Sequence, residues 1–377
     1  MIEPTYQILT NLSCNLDCTY CYENKNKRVN KYEDMVEYLE FLMKNDKTGS
    51  DVFTIDYIGG ESLLVVDLLD RVNQWVLKNM HKYGFKSVRF SHSTNGTLFG
   101  KKEVQDYVLR YKDGGYYGIS IDGIKATHDK FRIYKDGRRG SHDVVVEGIK
   151  WMTANVDPEL LNLKATYSLE TFKDYAEGAI YLMGLGVKYI NANLIFEDEY
   201  TKEWAATAAH ELIKIVDYVY DNNLIDKIDL MHFMANGVWM NDGENYLKYN
   251  GIYKREQNWC GSCEHMICLG FDRKVYGCNR FLTMDKEDKE IGYLEDGKIR
   301  YVNYELVREV TNQFKYMPDE CKQCPMQYSC ASCVAIAYEE DGEIDVKKYL
   351  AQKKQCGWTL AKGIACDYAR LRGEKNV

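Results

Sequence analysis

Residues 11–23 read NLSCNLDCTYCYE, and Cys14, Cys18 and Cys21 within them form a C-x3-C-x2-C triplet directly after a β-like run from Tyr6 to Thr10. Three thiolates this close can each take one iron of a cubane, whereas a cubane held by protein alone takes four cysteines. The fourth iron then stays open to a ligand that is not protein. An open coordination position marks chemistry rather than support, as it does for zinc. The position of the loop agrees, because folds built on parallel strands carry their function at the strands' C-terminal ends.

Outward from the triplet, strand-like runs alternate with segments of helical period. The runs are Val52 to Ile58, Ser87 to Ser91, Tyr116 to Ile121, Leu163 to Ser168 and Lys188 to Ile195. The helical segments are Tyr32 to Lys44, Leu63 to Met80, Lys102 to Tyr111, His142 to Met152, Thr171 to Met183 and Lys202 to Asp221. In the first of them Met35, Val36, Leu39, Leu42 and Met43 share one stripe, as an inward face requires. About six β/α units predict either an open doubly wound sheet or an incomplete barrel. After about residue 235 the pattern changes to short strands, glycine turns and cysteines, with MICLGFDRKVYGC at 266–278 reading as a hairpin. The chain therefore divides into an α/β domain, 1–235, and a smaller domain, 236–377, built around metal.

Composition bounds the function. The 377 residues are 45% hydrophobic, enough for a large core, and only 4 are proline, so disordered architecture is excluded. The formal charge of -8 argues against binding to nucleic acid through phosphate neutralisation. The N-terminus has no basic-then-apolar signal and no apolar run approaches a membrane span, which predicts a cytoplasmic protein with no membrane partner. Thirteen cysteines in a reducing compartment point to metal or catalysis. They are grouped at 14–21, 260–278 and 321–366 rather than scattered.

The triplet segment resembles the signature of the radical S-adenosylmethionine (SAM) enzymes, in which the amino and carboxylate groups of SAM chelate the open iron. Gly59-Gly60-Glu61, in YIGGESLL, resembles the GGE motif that receives the methionyl ammonium, and Tyr20 resembles the aromatic that covers the adenine. STNGTL at 93–98 and ISIDGIKATHDKFRIYKDGRRGSHDVVVEGI at 119–149 resemble the third- and fourth-strand segments of the subfamily that modifies peptides and proteins. On this resemblance Asn95 lies near the ribose, Ser120 and Arg132 serve the ribose and carboxylate side, and His128 and Asp129 are structural. The fold it implies is a partial (β/α)6 TIM-like radical SAM barrel.

Cys321-x2-Cys324-x5-Cys330-x2-Cys333, followed by Cys356, resembles the SPASM domain with its two auxiliary iron-sulfur clusters, and WCGSCEHMICLGFDRKVYGCNRF at 259–281 resembles its upstream half. The family pattern gives Cys260, Cys278 and Cys333 to the first auxiliary cluster, with Cys268 or Cys263 as its fourth ligand. It gives Cys321, Cys324, Cys330 and Cys356 to the second. Cys366 is left over. In one departure, Arg273 stands where the family has a glycine five residues before Cys278; in another, the last cysteine pair is one residue closer than is common. The cofactors implied are SAM and three 4Fe-4S clusters.

SPASM-bearing members act mostly on peptides. The reading is a maturase that installs a thioether or carbon-carbon cross-link in a ribosomally made precursor, served by a reductant such as flavodoxin or ferredoxin. The runner-up is an anaerobic sulfatase-maturing, formylglycine-forming enzyme. That group carries an aspartate base directly after the second SPASM cysteine, where this chain has Asn279, which accepts no proton at neutral pH. The first cysteine is already residue 14, so leader recognition is expected to use the barrel, the SPASM face or a separate protein. The alternative of another class is a non-enzymatic zinc-stabilised binding module.

Overall fold

The structure, a computed structural model, describes residues 4–228, 260–282, 289–324, 326, 330, 333, 335–336, 350 and 352–374. Along the chain the strands are β1 (Thr5–Asn11), β2 (Val52–Gly59), β3 (Ser87–Thr94), β4 (Gly115–Ser120), β5 (Leu161–Tyr167), β6 (Tyr189–Leu194), β7 (Met266–Leu269), β8 (Lys274–Tyr276), β9 (Gly292–Glu295) and β10 (Lys298–Tyr301). The crossover helices are α1 (Tyr32–Asn45), α2 (Val66–Asn79), α3 (Lys102–Arg110), α4 (Lys125–Phe131), α5 (His142–Asn155), α6 (Tyr175–Met183) and α7 (Ala205–Asp221). All six expected strands form, and the expected helices appear with 3-10 turns at several of their ends. The added helix is α4, whose polar KATHDKF gives no apolar stripe.

Two compact units emerge, and both are interrupted in sequence. The first holds 1–120, 129–161 and 261–311, and the second holds 121–128, 162–260 and 312–377. The boundary expected near residue 235 lies outside the described residues. In the first unit the strand order is β10-β9-β8-β7-β1-β2-β3-β4. Strands β1 to β4 run parallel, and β2 is covered on both faces, as crossover helices require. The hairpin β7–β8 forms as expected, but β7 also adds in parallel to the free edge of β1, with Thr5 opposite Met266 and Ile8 opposite Leu269. This covers an edge that would otherwise present unpaired backbone groups.

The two faces of this sheet differ in chemistry. Ile8, Ile55 and Phe90 are buried beneath helices that contribute Leu39, Leu69 and Val72. Gln7, Asp56 and Ser91 form a polar row in register, with Gln7 Nε2 donating to Asp56 at 3.2 Å and Ser91 Oγ donating to Asp56 at 2.9 Å.

In the second unit β5 and β6 pair in parallel, and the C-terminal helix Cys356–Glu374 packs on α7. Tyr220 Oη donates to Ala369 O, and Tyr368 Oη to Asp217 at 2.7 Å. The start of that helix is fixed by Tyr200, whose N–H donates to Lys354 O and whose carbonyl accepts from Gly357 N, both at 2.7 Å. A Cβ on Gly357 would stand 1.9 Å from the Thr201 carbonyl oxygen, so only glycine allows this approach. Among the described residues no helix is long and apolar enough to cross a membrane.

Candidate active site

The cysteine triplet occupies the loop after β1 and is tied down on three sides. Asp17 N donates to Ile133 O and Thr19 N to Phe131 O, which fixes the loop to residues 131–134. Gly60 N donates to Asn11 O and Glu61 N to Ser13 O, which fixes it to the turn after β2. A Cβ on Gly59 would lie 2.2 Å from Asn11 O and one on Gly60 2.3 Å from Ser13 O, so the glycine pair allows two backbones to touch. Asn95, after β3, donates from Nδ2 to Asn15 Oδ1 at 2.8 Å and to Cys14 Sγ at 3.6 Å.

Glu61 is fully buried and joins two of these loops. Oε1 accepts from Leu63 N at 3.1 Å and Thr94 Oγ1 at 2.8 Å, while Oε2 accepts from Asn95 N at 2.7 Å. Burial pushes its carboxyl up to about 7 against those three donors. A carboxylate oxygen has room for a second donor, so Oε2 keeps one acceptor position beyond the bond from Asn95.

The remaining residues assigned to SAM lie on the same unit. Arg132, buried, holds its guanidinium 5.3 Å from the centre of the Tyr20 ring and close to Cys18. Ser120 ends β4 and is partly exposed. Burial pushes the Cys18 thiol up to about 11, and Arg132 and Lys25 oppose that rise. Two residues here escaped the sequence reading. Lys25 stands among Cys21, Cys18 and Cys14 and pairs with Asp17 at 3.1 Å. Glu23, pushed up to about 7 by burial, bonds the Asn279 side chain and keeps Oε2 buried without a hydrogen-bond partner among the described residues. The signal available for both was their place within four residues of Cys21.

Asn279 donates from its side chain to Tyr22 Oη at 3.0 Å and from its backbone to Gln7 Oε1 at 3.2 Å. Next to it, Cys278 lies within electrostatic reach of Cys268. Cys268 sits opposite Gln7 and Tyr276 in the sheet, is fully buried, and donates its thiol to the Leu269 carbonyl at 3.6 Å. Cys263 is half-buried; its N–H reaches Met266 O and Gly277 O, and its sulfur is 2.5 Å from where a Gly277 Cβ would stand. Arg273, in the place of the family glycine, takes the left-handed conformation that glycine favours, φ 63°. Its fork binds Asp34 and Glu37 at 2.7 Å each and the Leu294 carbonyl at 2.7 Å.

In the second unit Cys321, Cys324, Cys330 and Cys356 line one cavity of about 60 Å³ together with Met317 and Met326. Their thiols interact with one another, and Lys353, paired with Glu320, adds a positive charge beside Cys321 and Cys356. Cys260 and Cys333 are described at the exposed and half-buried levels respectively. Among the described residues no three His, Cys, Asp or Glu side chains converge on a point that one metal ion would occupy. A cubane asks for no such convergence, because each thiolate binds a different iron.

Residues 8–163 match the model of the Radical SAM superfamily. A cysteine-type anaerobic sulfatase-maturating enzyme of Clostridium novyi is 31% identical over 147 residues, covering 37% of this chain and 37% of that protein. The chain spans between 33% and 59% of the length of the four curated relatives it matches. Native anSMEcpe with bound AdoMet and Cp18Cys peptide superposes with a TM-score of 0.71 at 17% identity, over 99% of each chain. Streptococcus suis SuiB bound to precursor peptide SuiA gives 0.56 at 13% identity, over 90% of this chain and 74% of that one. These two likenesses establish a shared α/β fold with a parallel-sheet core.

Proposed function

Since residues 8–163 match the model of the Radical SAM superfamily, we propose that the chain is a radical enzyme acting on a peptide, with Cys14, Cys18 and Cys21 as the ligands of its SAM-binding cluster. With SAM bound, such a cluster would supply reductive cleavage of the sulfonium, the electron coming from an external one-electron donor, and with it hydrogen-atom abstraction from the substrate. The chain's own residues bind and orient. Glu61 Oε2 would offer its remaining acceptor position to the methionyl ammonium, Arg132 would serve the carboxylate side, and Tyr20 would cover the adenine. Asn95, spent on Asn15 and Cys14, holds the cysteine loop. The observation that carries the reading is the clamping of one cysteine loop by the turns after β2 and β3 and by 131–134.

The four cysteines around one cavity support a second auxiliary cluster on Cys321, Cys324, Cys330 and Cys356. Cys260, Cys278 and Cys333 are proposed for the first, with Cys263 as the fourth ligand. Of the peptide chemistries, a thioether or carbon-carbon cross-link in a ribosomally made precursor is favoured, because Asn279 supplies no base where formylglycine formation uses an aspartate. The Clostridium novyi relative keeps the second reading in play.

The test is iron, sulfide and zinc per chain after anaerobic reconstitution, followed by SAM cleavage under dithionite. About 12 irons are expected, four for each cubane, with 5'-deoxyadenosine formed by the wild type and lost in Cys18→Ala. Stoichiometric zinc without iron would instead establish the binding module. Efficient oxidation of a sulfatase-derived cysteine peptide would give formylglycine formation first place.

A further inference from the structure

Asp56 lies within β2 in a register row that runs Cys268, Gln7, Asp56, Ser91, Tyr116 across five strands. Strands of a parallel sheet read as apolar runs where both faces are covered, so a carboxylate inside one asks for a reason. Between Phe53 and Ile58 it is the one half-buried position. Ser91 and Tyr116, beside it in the row, are also half-buried, whereas the residues that follow them, His92 and Tyr117, are buried. The three together mark a strip that solvent reaches on the sheet face away from the helices. This strip lies below both loops that hold Glu61: Asp56 precedes Gly59 by three residues and Ser91 precedes Thr94 by three, about 10 Å along each strand.

Both oxygens of the Asp56 carboxylate are held by neutral donors. Ser91 Oγ donates to Oδ1 at 2.9 Å and Gln7 Nε2 to Oδ2 at 3.2 Å, and Gln7 is itself fixed by the Asn279 N–H on its Oε1 at 3.2 Å. Each oxygen has room for a second donor, so two acceptor positions remain in fixed directions. Neutral donors orient a charge without cancelling it, and among the described residues no lysine, arginine or histidine pairs with Asp56. A charge set this far into a sheet is costly until a cation meets it, and a bond between ions is stronger than one between neutral groups. Glu61, assigned to the methionyl ammonium, stands in the turn beyond Gly59, so the two carboxylates address different cations. Resting on the peptide-acting reading made above, we propose that Asp56 determines substrate specificity by receiving the ammonium or guanidinium of a lysine or arginine near the residue that is modified.

The experiment presents short synthetic peptides, randomised over lysine, arginine, glutamine, glutamate and leucine, to the full reconstituted chain with SAM under anaerobic conditions. Retained peptides are sequenced by mass spectrometry, at raised ionic strength to screen attraction to exposed charges. Wild type is expected to favour lysine or arginine over glutamine by about tenfold, the size set by a hydrogen-bonded charge pair. Asp56→Asn loses that preference, Asp56→Glu keeps it, and Asp56→Lys turns it toward glutamate. Glu33→Gln, which removes an exposed charge from α1, selects as wild type does, because net charge is not what reads the peptide. A wild type without the preference, or an equal preference in wild type and Asp56→Asn, would overturn the proposal. If Asp56→Asn does not fold, Asp56→Ser makes the same comparison. Formation of 5'-deoxyadenosine is assayed on the same wild-type sample: its absence would defeat the radical reading, while selection that depends on Asp56 would still stand.

Discussion

Single residues here are understood through the penalty each position imposes. A non-glycine residue at φ 63° costs about 1–2 kcal/mol, yet Arg273 holds that place because its fork binds two carboxylates and a carbonyl that no glycine could reach. The departure from the family's glycine is thus compensated locally. The same residue-level reasoning separates Cys263 from Cys268. Cys268 is sealed inside the sheet with its thiol on a neighbouring carbonyl, whereas Cys263 lies beside the residue preceding Cys278. Cys263→Ala should lose iron and change the Mössbauer spectrum of one cluster. Cys268→Ala should keep the full complement and lose only stability, about 1–2 kcal/mol for a small buried side chain. Iron counts on both variants decide it, and the reverse pattern would transfer the ligand role to Cys268.

At the scale of elements, the strands and helices of the first 225 residues, α4 apart, were legible because each carries its own period and its own buried stripe. The pairing of β7 with β1 was not, since a four-residue strand encodes no long-range partner. Nor was the role of Lys25, which the folding of the cysteine loop brings back against Cys21, Cys18 and Asp17. The cysteine triplet stands out in the sequence by its spacing and the GGE turn by its resemblance to a family motif, but the buried carboxylate of Glu61 as a clamp between two loops needed the structure. His92 on β3 shows how an element can hold a group that sequence reading passes over. It is 1% exposed, stacked on Tyr117 and bonded to Tyr107, and burial alone drives its pKa from 6.5 down to about 3. Because the unfolded chain takes up the proton first, the contribution of neutral His92 is complete above 6.5 and is lost as pH falls toward 3. Between pH 6.5 and 5.5 wild type should lose about 1.0 kcal/mol relative to His92→Phe. Urea titrations of both proteins at the two values measure this, and parallel curves would place His92 in contact with water.

Across the whole molecule, none of the thirteen cysteines forms a disulfide among the described residues. Cross-linking of the cysteine-bearing segments therefore falls to the proposed clusters, and metal binding free energy becomes folding free energy where the metal-free segment has little core of its own. The units differ in this respect. Strands β1 to β4 bury Ile8, Ile55, Phe90 and Ile119 under helices and need no metal to stay closed. Residues 312–324 hold only a 3-10 turn and a four-residue helix, and Cys321 and Cys324 line the cavity. Removing iron anaerobically with a chelator should therefore raise deuterium uptake strongly over 312–324 and over the loop 12–30, while β1 to β4 exchange as before. Reconstitution should reverse the change, since the same thiolates bind iron again. Uniform uptake over all of these segments would mean that the clusters hold the entire fold together, and unchanged uptake over 312–324 would mean that the four-cysteine cavity is preformed rather than a folding element.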